Sequence, residues 1–310
     1  MKPYQRLLIF GLLALACTAL LSPWAAATWE WFISGHGGWE KFRYPFSRIF
    51  DRIFMISGIV LFFVCRRWLK IGSWNQLGLT PTTVAGRDLS LGACLALASM
   101  ASLVAAMSWT DVFLPFFRLS PSESLARCGK ALLAAIGAGF VEEIFFRGIV
   151  FKGLREDLGL YRGYFFAALF FAAIHFVKPA DDSVLSGIHP WAGVQHVMMS
   201  FHPFVDVETL FPGLFGLFLI GLILNYAFER TGTLYLSIGL HAGWIFSLKT
   251  VRVFGDFRRA DLGWLFGSTD PKIVSGLVTW LGIAIVALAV HRITRDRSRL
   301  FVDPPLPTKA

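Results

Sequence analysis

Residues 141–147 read Val-Glu-Glu-Ile-Phe-Phe-Arg, inside a run over 131–150 that is otherwise apolar. Two carboxylates and a guanidinium each cost at least about 2.5 kcal/mol at the centre of a bilayer-spanning helix, so something must offset them. On a helix Glu143 and Arg147 stand at i and i+4, the spacing at which an acid N-terminal to a base pairs along one face. Glu142 is then turned about 100° from Glu143 and faces another surface. The three residues form either one buried structural ion network or part of a functional site, and polar chemistry on other runs weighs between the two.

Two further apolar runs carry one imidazole each. Phe170-Phe171-Ala172-Ala173-Ile174-His175-Phe176 places Phe171 one turn before His175, where it can wall the same face. The run Leu236–Trp244 sets His241 among small residues, with Gly239 and Gly243 as a small-xxx-small face that a neighbouring helix can approach closely. One Glu and two His, each on its own run and without a local partner, share an economical explanation in a polar cavity inside a helix bundle. A carboxylate and an imidazole sharing a water can deprotonate it. A second imidazole across the cavity can donate to the oxyanion formed when that water attacks an amide carbonyl. The same Glu142, His175 and His241 could instead hold a divalent metal such as zinc, with an open position for water. Both versions hydrolyse a peptide bond within the membrane, and the sequence leaves both open.

In order and on successive apolar runs, Glu142-Glu143-xxx-Arg147, Phe171-xxx-His175 and His241 resemble the EExxxR, FxxxH and HxxxN motifs of the CAAX protease and bacteriocin-processing (CPBP, Abi) intramembrane proteases, which include Rce1-like prenyl-protein endopeptidases. The resemblance covers residues 127–250, and Glu229–Leu234 looks like the family's lead-in to the last motif. It implies an eight-helix intramembrane endopeptidase in which Glu142 works with His175 to activate water. Arg147 and Glu143 would hold the site together, and His241 would help stabilise the oxyanion. The family has been described both as metalloproteases and as glutamate-type proteases; the glutamate type is the reading favoured here, with no cofactor assigned. One position departs from the pattern. Where the family commonly has Asn or Asp four residues after the last His, this chain has Ile245, which leaves a second oxyanion donor to be found among Asn225, Ser247 and the Trp244 indole.

The elements able to position these groups are about eight apolar runs, near 7–28, 46–65, 89–109, 129–151, 163–178, 211–228, 232–248 and 273–291. As helices they are of the length that crosses a hydrocarbon core about 30 Å thick. The 310 residues are 55% hydrophobic and 16% charged, with a mean hydropathy of +0.61. A soluble domain carries about 25% charged residues, so most soluble folds are excluded. The expected fold is all-α: a polytopic, multi-pass protein of a bacterial inner membrane, with about eight transmembrane helices around a polar cavity. Its parts are N-terminal spans over 1–126, the protease core over 127–250, and a last span with a disordered Pro-rich tail over 251–310. The first run ends in Ala25-Ala26-Ala27, an A-x-A cleavage pattern, but it is long for a signal peptide and reads as a retained helix.

The net charge of +9 gathers at run ends (Arg66, Arg67, Lys70; Arg292, Arg295, Arg297, Arg299), which points to lipid headgroups rather than nucleic acid. Cys17, Cys65, Cys94 and Cys128 show neither metal-ligand nor disulfide spacing. In the polar segment 179–210, with Asp181, Asp182, His189, His196, His202, Asp206 and Glu208, the histidine spacings match no ligand pattern and the segment reads as a loop or interfacial stretch. The expected partners are membrane lipid and a membrane-associated protein or peptide substrate, prenylated or CAAX-like at its C-terminus. Two other functions compete. One is a family member that has lost hydrolysis and serves as a membrane binding or immunity module, for which Ile245 is the hint. The other is an ion-coupled transporter, which the chain's lack of paired Gly/Pro-broken spans disfavours.

Overall fold

The computed structural model describes residues 1–177, 189–259, 261–267 and 273–297; Asp181, Asp182, Arg299 and the Pro-rich tail lie outside the described residues. The helices are α1 (Pro3–Ser34), α2 (Phe46–Cys65), α3 (Ala85–Trp109), α4 (Pro121–Glu143), α5 (Lys152–Leu158), α6 (Leu160–Ile174), α7 (Ala192–Met199), α8 (Val207–Thr231), α9 (Tyr235–Thr250), α10 (Gly263–Phe266) and α11 (Leu277–Thr294). Every apolar run of the sequence falls on a helix. Four of them, α1, α3, α8 and α11, are long and apolar enough to cross a membrane. The others fall short for visible reasons. The first turns of α2 carry Arg48, Asp51 and Arg52, α4 opens on a polar stretch, and α6 and α9 have 15 and 16 residues, fewer than the roughly 20 a crossing takes.

The chain divides into two compact units, residues 1–72 with 173–211 and residues 73–172 with 212–310. In the first unit α1 runs without a break through Ala25–Ala27 and lies against α2 and α7. Gly193 of α7 sits so close to the Ala19 carbonyl that a side chain there would overlap it. His196 is buried against the rings of Phe46 and Phe50, at centroid distances of 5.5 and 4.4 Å, and His189 Nε2 lies 3.2 Å from Gln195 Oε1. These two histidines of the polar segment therefore pack and hydrogen-bond locally.

The second unit is built around α9. Nearly every residue from Leu236 to Trp244 is buried, the pattern of a helix enclosed on all sides. Its two glycines meet α3: a side chain on Gly239 would overlap the Leu89 carbonyl, and Gly243 abuts Ala93 and Ala96. The small-xxx-small face of the sequence thus has its partner, and α3 answers with Gly92 against Leu236 and Leu240. On the other side Gly139 of α4 touches Ala242. Gly239→Ala is expected to destabilise the protein by roughly 1–3 kcal/mol, because the two backbones must part. Gly137→Ala on α4 has open space and is expected to be neutral or slightly stabilising. Thermal unfolding of both variants in detergent measures the difference.

Two features of this unit were not legible in the sequence. A short antiparallel ribbon pairs β1 (Phe113–Pro115) with β2 (Gly255–Phe257), in the register Phe113↔Phe257, Leu114↔Asp256 and Pro115↔Gly255. Strands of three residues are too short to show a period-2 pattern. A partly buried ion pair joins the start of α3 to the chain beyond α11: Arg297 donates from both terminal nitrogens to the two oxygens of the buried Asp88, each at 2.6 Å.

Candidate active site

The asymmetry of the two adjacent glutamates begins in how α4 is built. The helix starts at a capping box in which Ser120 Oγ accepts from the Glu123 amide and Glu123 Oε2 accepts from the Ser120 amide, with Pro121 in the first turn. From there the buried residues follow a four-residue rhythm, Ala131, Ala135, Gly139 and Glu143. Glu143 thus continues the inward stripe of small residues, while Glu142, one position earlier, leaves it.

Beyond Glu143 the chain winds into a π-helix over Ile144–Phe151, the wider turn that recurs at functional sites. Phe146 to Phe151 are all buried there. This stretch brings the Arg147 guanidinium back to Glu143: Nη1 donates to Oε1 at 2.7 Å, with both side chains at 0% exposure. The remaining Arg147 nitrogens, Nε and Nη2, have no hydrogen-bond partner among the described residues. Aromatic faces stand in for one, with Phe171 at 4.4 Å and Phe146 at 5.8 Å from the guanidinium carbon.

His241, buried on α9, meets both glutamates. Its Nδ1 lies 2.7 Å from Glu143 Oε1 and its Nε2 lies 3.7 Å from Glu142 Oε2. An ionised carboxylate only accepts, so Nδ1 carries a proton and Nε2 is the nitrogen turned towards Glu142. Ser237, one turn before His241, lies beside the same Glu143 carboxylate while donating its own hydroxyl to Leu234. Phe171 on α6 closes this side, edge-on to His241 with ring centroids 5.7 Å apart.

Glu143, Arg147, Phe171 and His241 are therefore drawn into one buried cluster, with Glu142 at its edge. The structure adds to the sequence reading at three points. His241, without a partner on its own run, gains one from another helix, since Glu143 serves it and Arg147 through the same oxygen. Glu142 does not face wholly away, because His241 stands between the two carboxylates. Finally, each of the three candidates for a second oxyanion donor is committed elsewhere: Trp244 Nε1 donates to Ser99 Oγ at 3.1 Å, Asn225 Nδ2 to the Tyr164 carbonyl at 3.4 Å, and Ser247 Oγ to the Gly243 carbonyl at 2.9 Å. His175 is the first residue after α6, exposed, and belongs to the first unit. Among the described residues no group of three His, Cys, Asp or Glu side chains is arranged to hold a metal ion.

Residues 125–247 match the family model described as Rce1-like, type II CAAX prenyl endopeptidase. The chain carries an Rce1-like domain. The matched segment runs from the first turns of α4 to the last turn of α9 and contains all the residues of the cluster, together with Glu142, His175 and Ile245. At the level of the family the chemistry is that of CAAX-type intramembrane proteases, and the four long apolar helices fit an integral membrane protein. No curated protein and no solved structure matches the chain. Two participants of the Rce1-like cluster escaped sequence reasoning. Ser237 could have been found from its i, i+4 relation to His241, whereas the π-helix leaves no signal of composition or period.

Proposed function

We propose that the chain is a multi-pass intramembrane endopeptidase that hydrolyses a peptide bond of a membrane-associated protein or peptide, with Glu142 as the base that activates water. The observation that carries this reading is the inequality of the two carboxylates. Glu143 is sealed at 0% exposure with Oε1 committed to Arg147 and His241, whereas Glu142 keeps 34% of its side chain exposed beside His241. Only the second can meet water and a peptide. Immediately before it, α4 turns Leu133, Ile136 and Val141 outward, an apolar approach suited to a lipid-anchored, CAAX-like C-terminus.

Glu142 takes a proton from water as the new O–C bond forms and the carbonyl electrons move onto oxygen. His241 faces the site through Nε2, which carries the second ring proton when it donates to that oxyanion. Collapse breaks the C–N bond, and the proton held by Glu142 passes to the leaving amine. Glu143 fixes the His241 ring and Arg147 balances its charge. His175 is assigned as the partner of Glu142 on the family resemblance alone. The same reading takes residues 127–250 as the protease core and places α2, α4 with its π-helical continuation, α6 and α9 in the membrane beside the four long helices, giving eight.

The test is cleavage of membrane-anchored C-terminal peptides, prenylated and unprenylated, by the purified chain in vesicles, with and without a strong chelator. Cleavage that survives chelation is expected, and a folded chain that cuts none of them would overturn the reading. The engaged state of Trp244, Asn225 and Ser247 favours one alternative, a weakened enzyme retained for binding. Since an oxyanion donor contributes about 10²–10³ in kcat, Ile245→Asn is expected to raise the rate by up to about 10²-fold. Activity appearing only in Ile245→Asn would favour the binding module.

A further inference from the structure

The β1–β2 ribbon and the end of α3 expose an unusual set of side chains. Trp109, the last residue of α3, is 90% exposed, Phe117 is 76% exposed, and Leu114, Phe116 and Phe254 are each exposed by more than 40%. Phe117 and Phe254 lie against each other with ring centroids 6.0 Å apart, and the Phe116 amide donates to the Phe254 carbonyl, so the aromatic group is fixed by paired backbone. Exposed apolar residues on α3, α8 or α11 are explained by lipid tails. The ribbon is not, because among the described residues it is a two-stranded sheet with two edges whose backbone groups lack ladder partners, and hydrocarbon offers them none. Water is equally unsuitable for so much contiguous aromatic surface, at about 25 cal/mol per Å². The layer between them accommodates both, since headgroups and their water pair with the backbone while aromatic rings reach the acyl boundary.

Position along α3 agrees. This helix is long and apolar enough to cross a membrane, so its Trp109 end falls at a bilayer surface, and the ribbon begins four residues later. Arg118 and Arg259 flank the aromatic group, paired to Asp256 at 3.7 Å and Asp261 at 2.6 Å, with Arg258 exposed beside them. Such groups are tolerated at headgroup level and costly below it.

We propose that the β1–β2 ribbon, with Trp109, is an interfacial anchor seated in the headgroup layer of a phospholipid bilayer, and that it fixes the level of α3 and α9 in the membrane. The consequence for the site follows from helix rise. The two glycines either side of His241 both abut Ala93, which is 16 residues from Trp109 and eight from Ala85. At 1.5 Å per residue the site is about 24 Å from the ribbon end of α3 and about 12 Å from the other. An anchored ribbon therefore places the Glu142–His241 site in the opposite half of the bilayer.

The anchor rests on the membrane reading of α3 and not on hydrolysis, so its test measures depth alone. Nitroxide labels at Phe117→Cys and, separately, Trp109→Cys are introduced into the full chain with its four native cysteines replaced, and the protein is reconstituted in phosphatidylcholine vesicles with or without phosphatidylglycerol. Both positions are largely exposed, so each checks the other against local misfolding. Relaxation of both labels by oxygen and by a water-soluble nickel chelate is expected, in a ratio that places them within about 5–10 Å of the phosphate level. A ratio dominated by nickel, as for a label in bulk water, would put the ribbon in water, a ratio dominated by oxygen would put it among the acyl chains, and shielding from both agents would show that protein covers it; each of these results overturns the anchor.

Discussion

Glu142→Gln is expected to lower kcat for cleavage of an anchored peptide by about 10²–10⁴-fold, the range over which a general base contributes. Gln keeps the volume and hydrogen-bonding outline of the side chain but cannot accept the proton of water. Glu142 is partly exposed and carries none of the buried ion pair, so the cost in stability is expected to stay within about 0.5 kcal/mol. KM is expected to change little, because the carboxylate acts on water rather than on the bound peptide. Single-turnover cleavage and thermal unfolding of the same preparation separate the two effects. A Glu142→Gln protein that cuts at the rate of the parent would remove Glu142 from the role of base and leave the cluster as a structural ion network.

That network was the competing reading of the sequence, and both readings share the same residues. The Glu143–Arg147 pair was legible because it is local: four residues apart on one helix, acid first, in a run too apolar to leave them unpaired. The close contact at Gly239 and Gly243 was legible for a similar reason, since small residues at that spacing have no use except a near neighbour. What the sequence could not carry is the third member of the cluster. His241 is 98 residues from Glu143, and nothing in either segment specifies that one carboxylate oxygen will serve both a guanidinium and an imidazole. Small residues recur every fourth position towards both glutamates, Ala134 and Ala138 before Glu142 as well as Ala131, Ala135 and Gly139 before Glu143, so only packing shows which of the two turns inward. The fates of Trp244, Asn225 and Ser247 depend on Ser99 and Tyr164 in other helices and on a carbonyl one turn back, so their availability as donors was open until the helices were in place. The ribbon escaped because six residues in two distant segments show no period.

Glu143→Ala is expected to be the most disruptive single change at the site. Arg147 is at 0% exposure and its charge is answered at close range by Glu143, the ring faces of Phe171 and Phe146 giving only partial relief. Removing one partner of a buried pair leaves an uncompensated charge and typically costs 3–5 kcal/mol, enough to consume much of the stability of an ordinary domain. Replacing both charges by apolar residues of similar volume, Glu143→Leu with Arg147→Met, removes the stranded cation and is expected to recover most of that loss. Cleavage is not expected to return with the fold. In the double variant His241 has lost the acceptor that fixes its ring and orients Nε2 towards Glu142, and the rate is expected to stay down by on the order of 10³-fold, somewhat less than the roughly 10⁴-fold seen when the orienting Asp of a Ser-His-Asp triad is replaced. Thermal unfolding and cleavage measured on the same three proteins therefore separate holding the bundle together from aiming the imidazole. A double variant that regains both stability and rate would mean that Glu143 acts on the fold alone and that His241 is oriented by its burial on α9.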